Sequence, residues 1–219
     1  PNTTDADNGV TSDVFALYVQ DQAALSPQWK VLAGLRYDSF KVTFDDRRSL
    51  VPATDLARTD AAYSPRAGLV WTPTKSSTYY ISYSYAFLPS GEQLSLAPAT
   101  SDLAPETARN YEAGARWDLL PALTLSGAAF GTYRDNVRVT DPANPANFIK
   151  TGQQLTDGFE LGLQGDITRN WQVYGGFASL DGRVTKPLNT GTAPGLATVI
   201  QPGNKLPLVP NKTLSLWNK

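Results

Sequence analysis

YVQDQAALSPQWKVLAGLRYD, residues Tyr18–Asp38, is the stretch whose reading decides the fold. Its second half alternates with period two. Trp29, Val31, Ala33, Leu35 and Tyr37 share one parity, and Lys30, Gly34, Arg36 and Asp38 share the other, with Leu32 among them. That period belongs to a β-strand with two unlike faces. A short break at Ser26–Gln28, carrying Pro27, separates it from the preceding run FALYVQDQAAL. Together they read as a hairpin with one apolar face and one face of charges and glycine.

The same pattern recurs along the chain. Tyr111, Ala113, Ala115, Trp117 and Leu119 oppose Asn110, Glu112, Gly114, Arg116 and Asp118. Phe159, Leu161, Leu163 and Ile167 oppose Gly158, Glu160, Gly162, Gln164 and Asp166. Helix signals are nearly absent. The alternation predicts nine strands, near 12–24, 28–45, 61–72, 77–88, 107–119, 122–136, 154–168, 171–185 and 207–218. In the first of these, Asp21 falls on the parity of Phe15, Leu17 and Val19, which a bulge would explain. Pro65 removes a ladder donor from the third and also suggests a bulge. The sixth is rich in small residues and its outward face is ambiguous.

A soluble sandwich would turn the apolar faces inward, and a membrane barrel turns them outward to lipid. Alternation alone does not choose. The connections do, because they switch strictly between short and long. Short ones lie near Ser26–Gln28, Pro73–Ser76, Leu120–Pro121 and Arg169–Asn170; long ones near Asp46–Asp60, Pro89–Glu106, Val137–Gln153 and Lys186–Leu206. Tight turns on one side and long loops on the other are the outer-membrane barrel pattern. A soluble domain rarely carries several loops longer than about 12–15 residues. The tryptophans agree. Trp29 and Trp171 follow short turns, Trp71 and Trp117 precede them, and Trp217 ends a strand running toward the same side. All five are expected at one rim as a membrane-interface girdle, since an indole is apolar with one polar edge. Tyr83, Tyr85 and Phe87 are candidates for the opposite rim.

Composition narrows the chemistry. The 219 residues hold no Cys, no Met and no His, against 5 Trp, 10 Tyr and 8 Phe, with a formal net charge of −1. Without Cys or His there is no thiol or Ser-His-Asp chemistry, and the commonest metal ligands are missing. The balanced charge offers no field to recruit nucleic acid. No apolar run reaches the roughly 18 residues of a membrane-spanning helix. The chain starts at Pro1 and stops at Lys219 directly after a strand-like LSLW, so both ends read as cuts in a longer protein. The cluster Asp45-Asp46-Arg47-Arg48 could bind a ligand or an ion, but reads rather as a solvated strand end opening a loop. Glu112 and Glu160 could act as acid and base, but in a wet lumen they are expected to pair with Arg36, Arg66 or Arg116. Lys30, Arg36, Arg66, Glu112, Arg116, Glu160 and Gln164 are the lumen-facing candidates. No catalytic, cofactor-binding or metal-ligating residue is identified, and the loops give no basis for choosing single ligand contacts.

These residues also carry a resemblance. Tyr18–Asp38 resembles a hairpin of the TonB-dependent siderophore receptors, in which Tyr-x-Gln-Asp-Gln, a short turn with Trp and Gly-Leu-Arg-Tyr-Asp recur. YSPRAGLVWTPTKSSTYYISYSYAF (Tyr63–Phe87) is similar to that family's next hairpin. LAPETARNYEAGARWDL (Leu103–Leu119), GFELGLQGDITRNWQVYGGF (Gly158–Phe177) and LPLVPNKTLSLW (Leu206–Trp217) resemble later strands, in matching order. The resemblance implies an all-β fragment, nine strands of a barrel of about 22, with residues 1–219 as a partial barrel domain. The plug, the TonB box before it and the last strands would lie outside. It implies a Gram-negative outer-membrane receptor, not an enzyme, taking up ferric siderophores by TonB-coupled transport. The partners would be the ferric siderophore, the TonB complex and outer-membrane lipid. No cofactor is expected, because the siderophore carries the iron. A TonB-dependent receptor for cobalamin or an oligosaccharide, a passive porin and a soluble β-sandwich are the rivals.

Overall fold

The computed structural model describes residues 8–47, 56–89, 104–140, 148–150, 152–186 and 202–219. Among them it holds eleven strands and no helix: β1 (Asn8–Ala24), β2 (Trp29–Asp46), β3 (Leu56–Thr74), β4 (Ser77–Leu88), β5 (Glu106–Leu120), β6 (Leu123–Asp135), β7 (Arg138–Thr140), β8 (Phe148–Lys150), β9 (Gln153–Thr168), β10 (Trp171–Val184) and β11 (Lys212–Asn218). Nine form one sheet in the order β1-β2-β3-β4-β5-β6-β9-β10-β11. Every neighbouring pair is antiparallel. The nine predicted strands are thus present, joined as a simple meander. β7 and β8 add a small ribbon inside the Val137–Gln153 connection.

Short turns are closed by local polar groups. The Ser26 hydroxyl accepts the backbone N–H of Gln28 and of Trp29, at 3.2 and 3.1 Å. At the next turn the Thr74 and Ser77 hydroxyls lie 2.7 Å apart. The register breaks at three places, Trp71/Thr74, Asp118/Leu120 and Trp171/Gln172, each beside such a turn.

Two predicted bulges are absent. The β1–β2 register runs unbroken from Asn8↔Asp46 to Ala24↔Lys30, with Asp21 opposite Ala33 on the apolar face. The Asp21 carboxylate is occupied locally, accepting the backbone N–H of Gln22 at 2.8 Å. Pro65 pairs with Leu35 in an equally unbroken β2–β3 ladder. The missing Pro65 donor falls instead where the β3–β4 ladder stops, at Arg66↔Ser84. An edge, unlike an interior ladder, tolerates a residue without an N–H. Two further prolines, Pro207 and Pro210, explain why β11 begins only at Lys212, later than expected.

β1, β2 and β3 are 17, 18 and 19 residues long, whereas crossing a bilayer takes about 9–11. They therefore extend past the bilayer on the long-loop side. At the opposite end Gly165 sits at φ +129°, where an added Cβ would lie 1.9 Å from the Ala122 carbonyl oxygen. No L side chain fits that backbone. Gly165→Ala should cost roughly 1–3 kcal/mol, read as a lower urea midpoint of the detergent-folded whole protein. Gly131→Ala, where the nearest atoms would be 3.9 Å away, should leave the midpoint nearly unchanged.

Candidate functional site

Paired residues of an antiparallel sheet point to the same side, so the register assigns faces across the whole wall. Lys30 lies opposite Val70, Val70 opposite Tyr80, Tyr80 opposite Gly114, Gly114 opposite Ala128 and Ala128 opposite Glu160. Alternation along each strand places Arg36, Arg66, Glu112, Arg116 and Gln164 on that same side. All seven polar candidates therefore share one face of the sheet. The other face carries exposed Leu35, Tyr63, Ile81, Tyr111, Phe159 and Leu161. This also resolves β6: Leu125, Gly127 and Ala129 continue the apolar face through their partners Leu163, Leu161 and Phe159.

The expected pairing of Glu112 and Glu160 with arginines does not occur. Arg36 and Arg116 find nearer carboxylates. Arg36 binds Asp38, two residues along its own strand, at 2.6 Å. Arg116 reaches Asp118 at 3.2 Å, and Asp118 also accepts the Thr124 hydroxyl at 2.9 Å. Residues i and i+2 share a face, so such pairs need no cross-strand reach. Glu112 instead accepts the Tyr80 hydroxyl at 2.5 Å. The Tyr80 ring lies over Gly114, where a Cβ would come within 2.5 Å of it. Gly114 thus makes room for the tyrosine that holds Glu112. Of the cluster singled out earlier, Asp45 pairs with Arg47 at 3.0 Å and both side chains are more than half exposed, as a solvated strand end requires, whereas Asp46 departs from that expectation and is buried, and Arg48 lies outside the described residues.

Four tryptophans, Trp29, Trp71, Trp117 and Trp171, lie at the short-turn ends of strands on the apolar parity. Trp29 stacks on Trp71 with ring centroids 5.6 Å apart. Trp71 meets Tyr79 at 5.4 Å, and Tyr79 meets Trp117 edge-on at 6.0 Å. The Trp117 indole N–H donates to the Tyr79 hydroxyl at 3.1 Å. Tyr79 is a belt member that the sequence reading missed, although its parity with Ile81 and Tyr83 was available. The belt descends across the sheet. Trp117 aligns through Leu125 and Leu163 with Gly175, and Trp171 stands four residues nearer the turn than Gly175. Strands that tilt against the membrane produce such a slant. Tyr83, Tyr85 and Phe87 stand on the same face toward the long loops, where Tyr83 packs on Tyr111 at 5.1 Å and Tyr37 on Tyr63 at 5.1 Å.

Trp217 departs from the expected girdle. It pairs with Tyr174, and Tyr174 with Gln164, which puts it on the polar face. Its ring meets Tyr174 at 5.6 Å. Leu214 and Leu216, opposite Phe177 and Gly175, take the apolar side, so period two sends Trp217 the other way.

Above Asp38 the two faces exchange character. The formerly polar side now carries Val14, Phe40, Val42 and Phe44, with Val42 only 1% exposed. The formerly apolar side carries Thr11, Asp13, Ser39, Lys41 and Thr43. On the inward side Arg58 and Asp60 form a pair at 2.7 Å with little exposure. The exchange marks where β1–β3 leave lipid for water. Trp29 to Tyr37 of β2 takes up about nine residues, at the short end of the roughly 9–11 that a tilted transmembrane strand needs. Among the described residues no group of three or more His, Cys, Asp or Glu is placed to hold a metal ion.

An antiparallel meander with a belted apolar face, a charged face and a fringe beyond the belt is a wall of an outer-membrane β-barrel. The family model for the TonB dependent receptor-like β-barrel matches residues 1–219, and the chain belongs to that family. It is 30% identical to the probable TonB-dependent siderophore receptor PiuA of Acinetobacter baumannii, over 96% of this chain and 30% of PiuA. The crystal structure of that receptor superposes with a TM-score of 0.82 at 29% identity, covering 97% of this chain and 31% of the other. The metal-pseudopaline receptor CntO of Pseudomonas aeruginosa is 33% identical over 81% of this chain and 25% of CntO. The closed form of the ferric-catecholate import receptor Fiu from Escherichia coli K12 matches with a TM-score of 0.77 at 23% identity, over 97% of this chain and 32% of that one, a likeness of fold. The chain spans about a third or less of each of these relatives. The family is one of outer-membrane receptors.

Two measurements check the faces. In whole protein carrying a single tryptophan in this region, Trp71 fluorescence should be quenched by brominated lipid and Trp217 fluorescence should not. On intact cells, a membrane-impermeant maleimide should label a Lys41→Cys variant and spare Leu35→Cys.

Proposed function

We propose that the whole protein is an outer-membrane receptor that takes up ferric siderophores by TonB-coupled transport, and that these residues form part of its barrel wall. The match to PiuA in sequence and shape across nearly the whole chain carries the reading. The face assignments support it. Lys30, Arg36, Arg66, Glu112, Arg116, Glu160 and Gln164 line the lumen, while Trp29, Trp71, Trp117 and Trp171 sit at the lipid interface. The long strands β1–β3 extend beyond the bilayer toward the side where an external ligand is first met. Contact with TonB falls to the plug and the box that precedes it. The reading involves no enzymatic step and no resident metal, because the iron arrives and leaves inside its chelator.

The test is uptake of radiolabelled iron in a receptor-deficient Gram-negative strain expressing the whole protein, supplied with a panel of ferric siderophores. Accumulation should appear with at least one siderophore and drop to the empty-vector level when tonB is deleted. Uptake that persists without TonB would point to a passive porin. TonB-dependent uptake of cobalamin or an oligosaccharide, with none of iron, would sink the siderophore reading.

A further inference from the structure

Arg66 stands out among the arginines of the polar face. Arg36, Arg116 and Arg134 each bind a carboxylate, Arg134 reaching Glu106 at 2.6 Å, and Arg58 is paired with Asp60. Arg66 makes no ion pair with any described residue. It is exposed, and it lies across Gly34, where an added Cβ would come within 3.0 Å of its Nε. Glycine at that position lets the guanidinium lie flat over β2.

The register sets Arg66 opposite Gly34 and Arg36 opposite Ser64, so the two arginines are diagonal neighbours. Both line a cleft of about 570 Å³ with Tyr18, Ser64 and Ser84. A cleft of this size suits a small molecule. Asp38, also in its lining, neutralises Arg36 alone, which leaves one positive charge in excess. Val14 and Phe40 add an apolar side, at the level where the faces exchange. The cleft therefore combines an unmatched planar cation, three hydroxyl groups and an apolar wall.

We propose that this cleft is a binding subsite for a planar two-oxygen anion carried on an apolar body, gripped by the Arg66 fork with Ser64, Ser84 and Tyr18 as supporting donors. Arginine suits this role because two parallel N–H groups match the two oxygens of such an anion. The subsite deepens the uptake reading by naming ligand chemistry for one part of the lumen wall, and it rests on that reading for its biological use.

Benzoate is the probe, with benzamide as the uncharged analogue of the same shape. Each is titrated into the whole protein in detergent by saturation-transfer NMR. Wild type should bind benzoate in preference to benzamide. Arg66→Gln should weaken benzoate roughly tenfold or more, the ordinary worth of a charge-assisted hydrogen bond, while leaving heat-modifiable gel migration intact. Arg66→Lys, which keeps the charge and loses the fork, should fall between. Lys75→Gln, in a short turn away from the cleft, should bind as wild type. Wild type that does not bind benzoate, or an Arg66→Gln variant that binds it as wild type does, overturns the subsite. Iron uptake in cells is read separately. TonB-dependent uptake without benzoate binding defeats only the subsite, and benzoate binding without uptake defeats only the transport reading.

Discussion

Backbone hydrogen bonding in hydrocarbon is the constraint on which this structure depends. Lipid offers no partner to a peptide N–H or C=O, and each one left unpaired costs several kcal/mol. The wall meets that demand with ladders between all adjacent strands of the sheet. The register breaks are confined to places where a turn can supply partners. The three register breaks sit beside short turns, and where the β3–β4 ladder stops, at Arg66↔Ser84, the next residue of β3 is Pro65, which has no N–H to leave unpaired. Asp21 on the apolar face is tolerated without a break because its carboxylate accepts the next backbone N–H.

Given the ladders, period two divides every strand between two solvents. Side chains on the apolar face meet lipid, so their high exposure within the isolated wall is what a barrel exterior requires. Trp29, Trp71, Tyr79 and Trp117 form a contiguous belt. On the opposite face the charges are kept nearly neutral by short-range pairs such as Arg36 with Asp38 and Arg116 with Asp118. Small residues such as Gly34 and Gly114 provide room for long side chains to lie flat, as Arg66 and Tyr80 do. The exchange of polarity above Asp38 follows from the same logic, since beyond the belt the outer surface meets water and the inner one faces the mouth.

The fold was legible in the sequence because three of its determinants are local. Period-two alternation in Trp29–Asp38 and Tyr111–Leu119 declares strands, and the switch between short and long connections declares a barrel. The tryptophans beside the short turns set aromatic rings at one end of the strands. The seven polar candidates were equally legible, since parity within each strand was enough to group them. Tyr79 shared that parity and was missed because tryptophan alone was taken as the marker of the rim. Trp217 was misjudged because its level was read without its parity, although Leu214 and Leu216 already occupied the apolar side.

The sequence by itself determined the strands, the two faces and the family, because each depends on the order of residues along one strand or turn. Only the tertiary structure decided which side chains meet across strands: that Glu112 is held by Tyr80 over Gly114, that Arg36 is matched by Asp38, and that Arg66 beside it has no carboxylate partner among the described residues. Those outcomes turn on register. A shift of one residue sends every side chain of a strand to the other face, and register is decided jointly by both neighbours of each strand, through ladders that no single segment encodes.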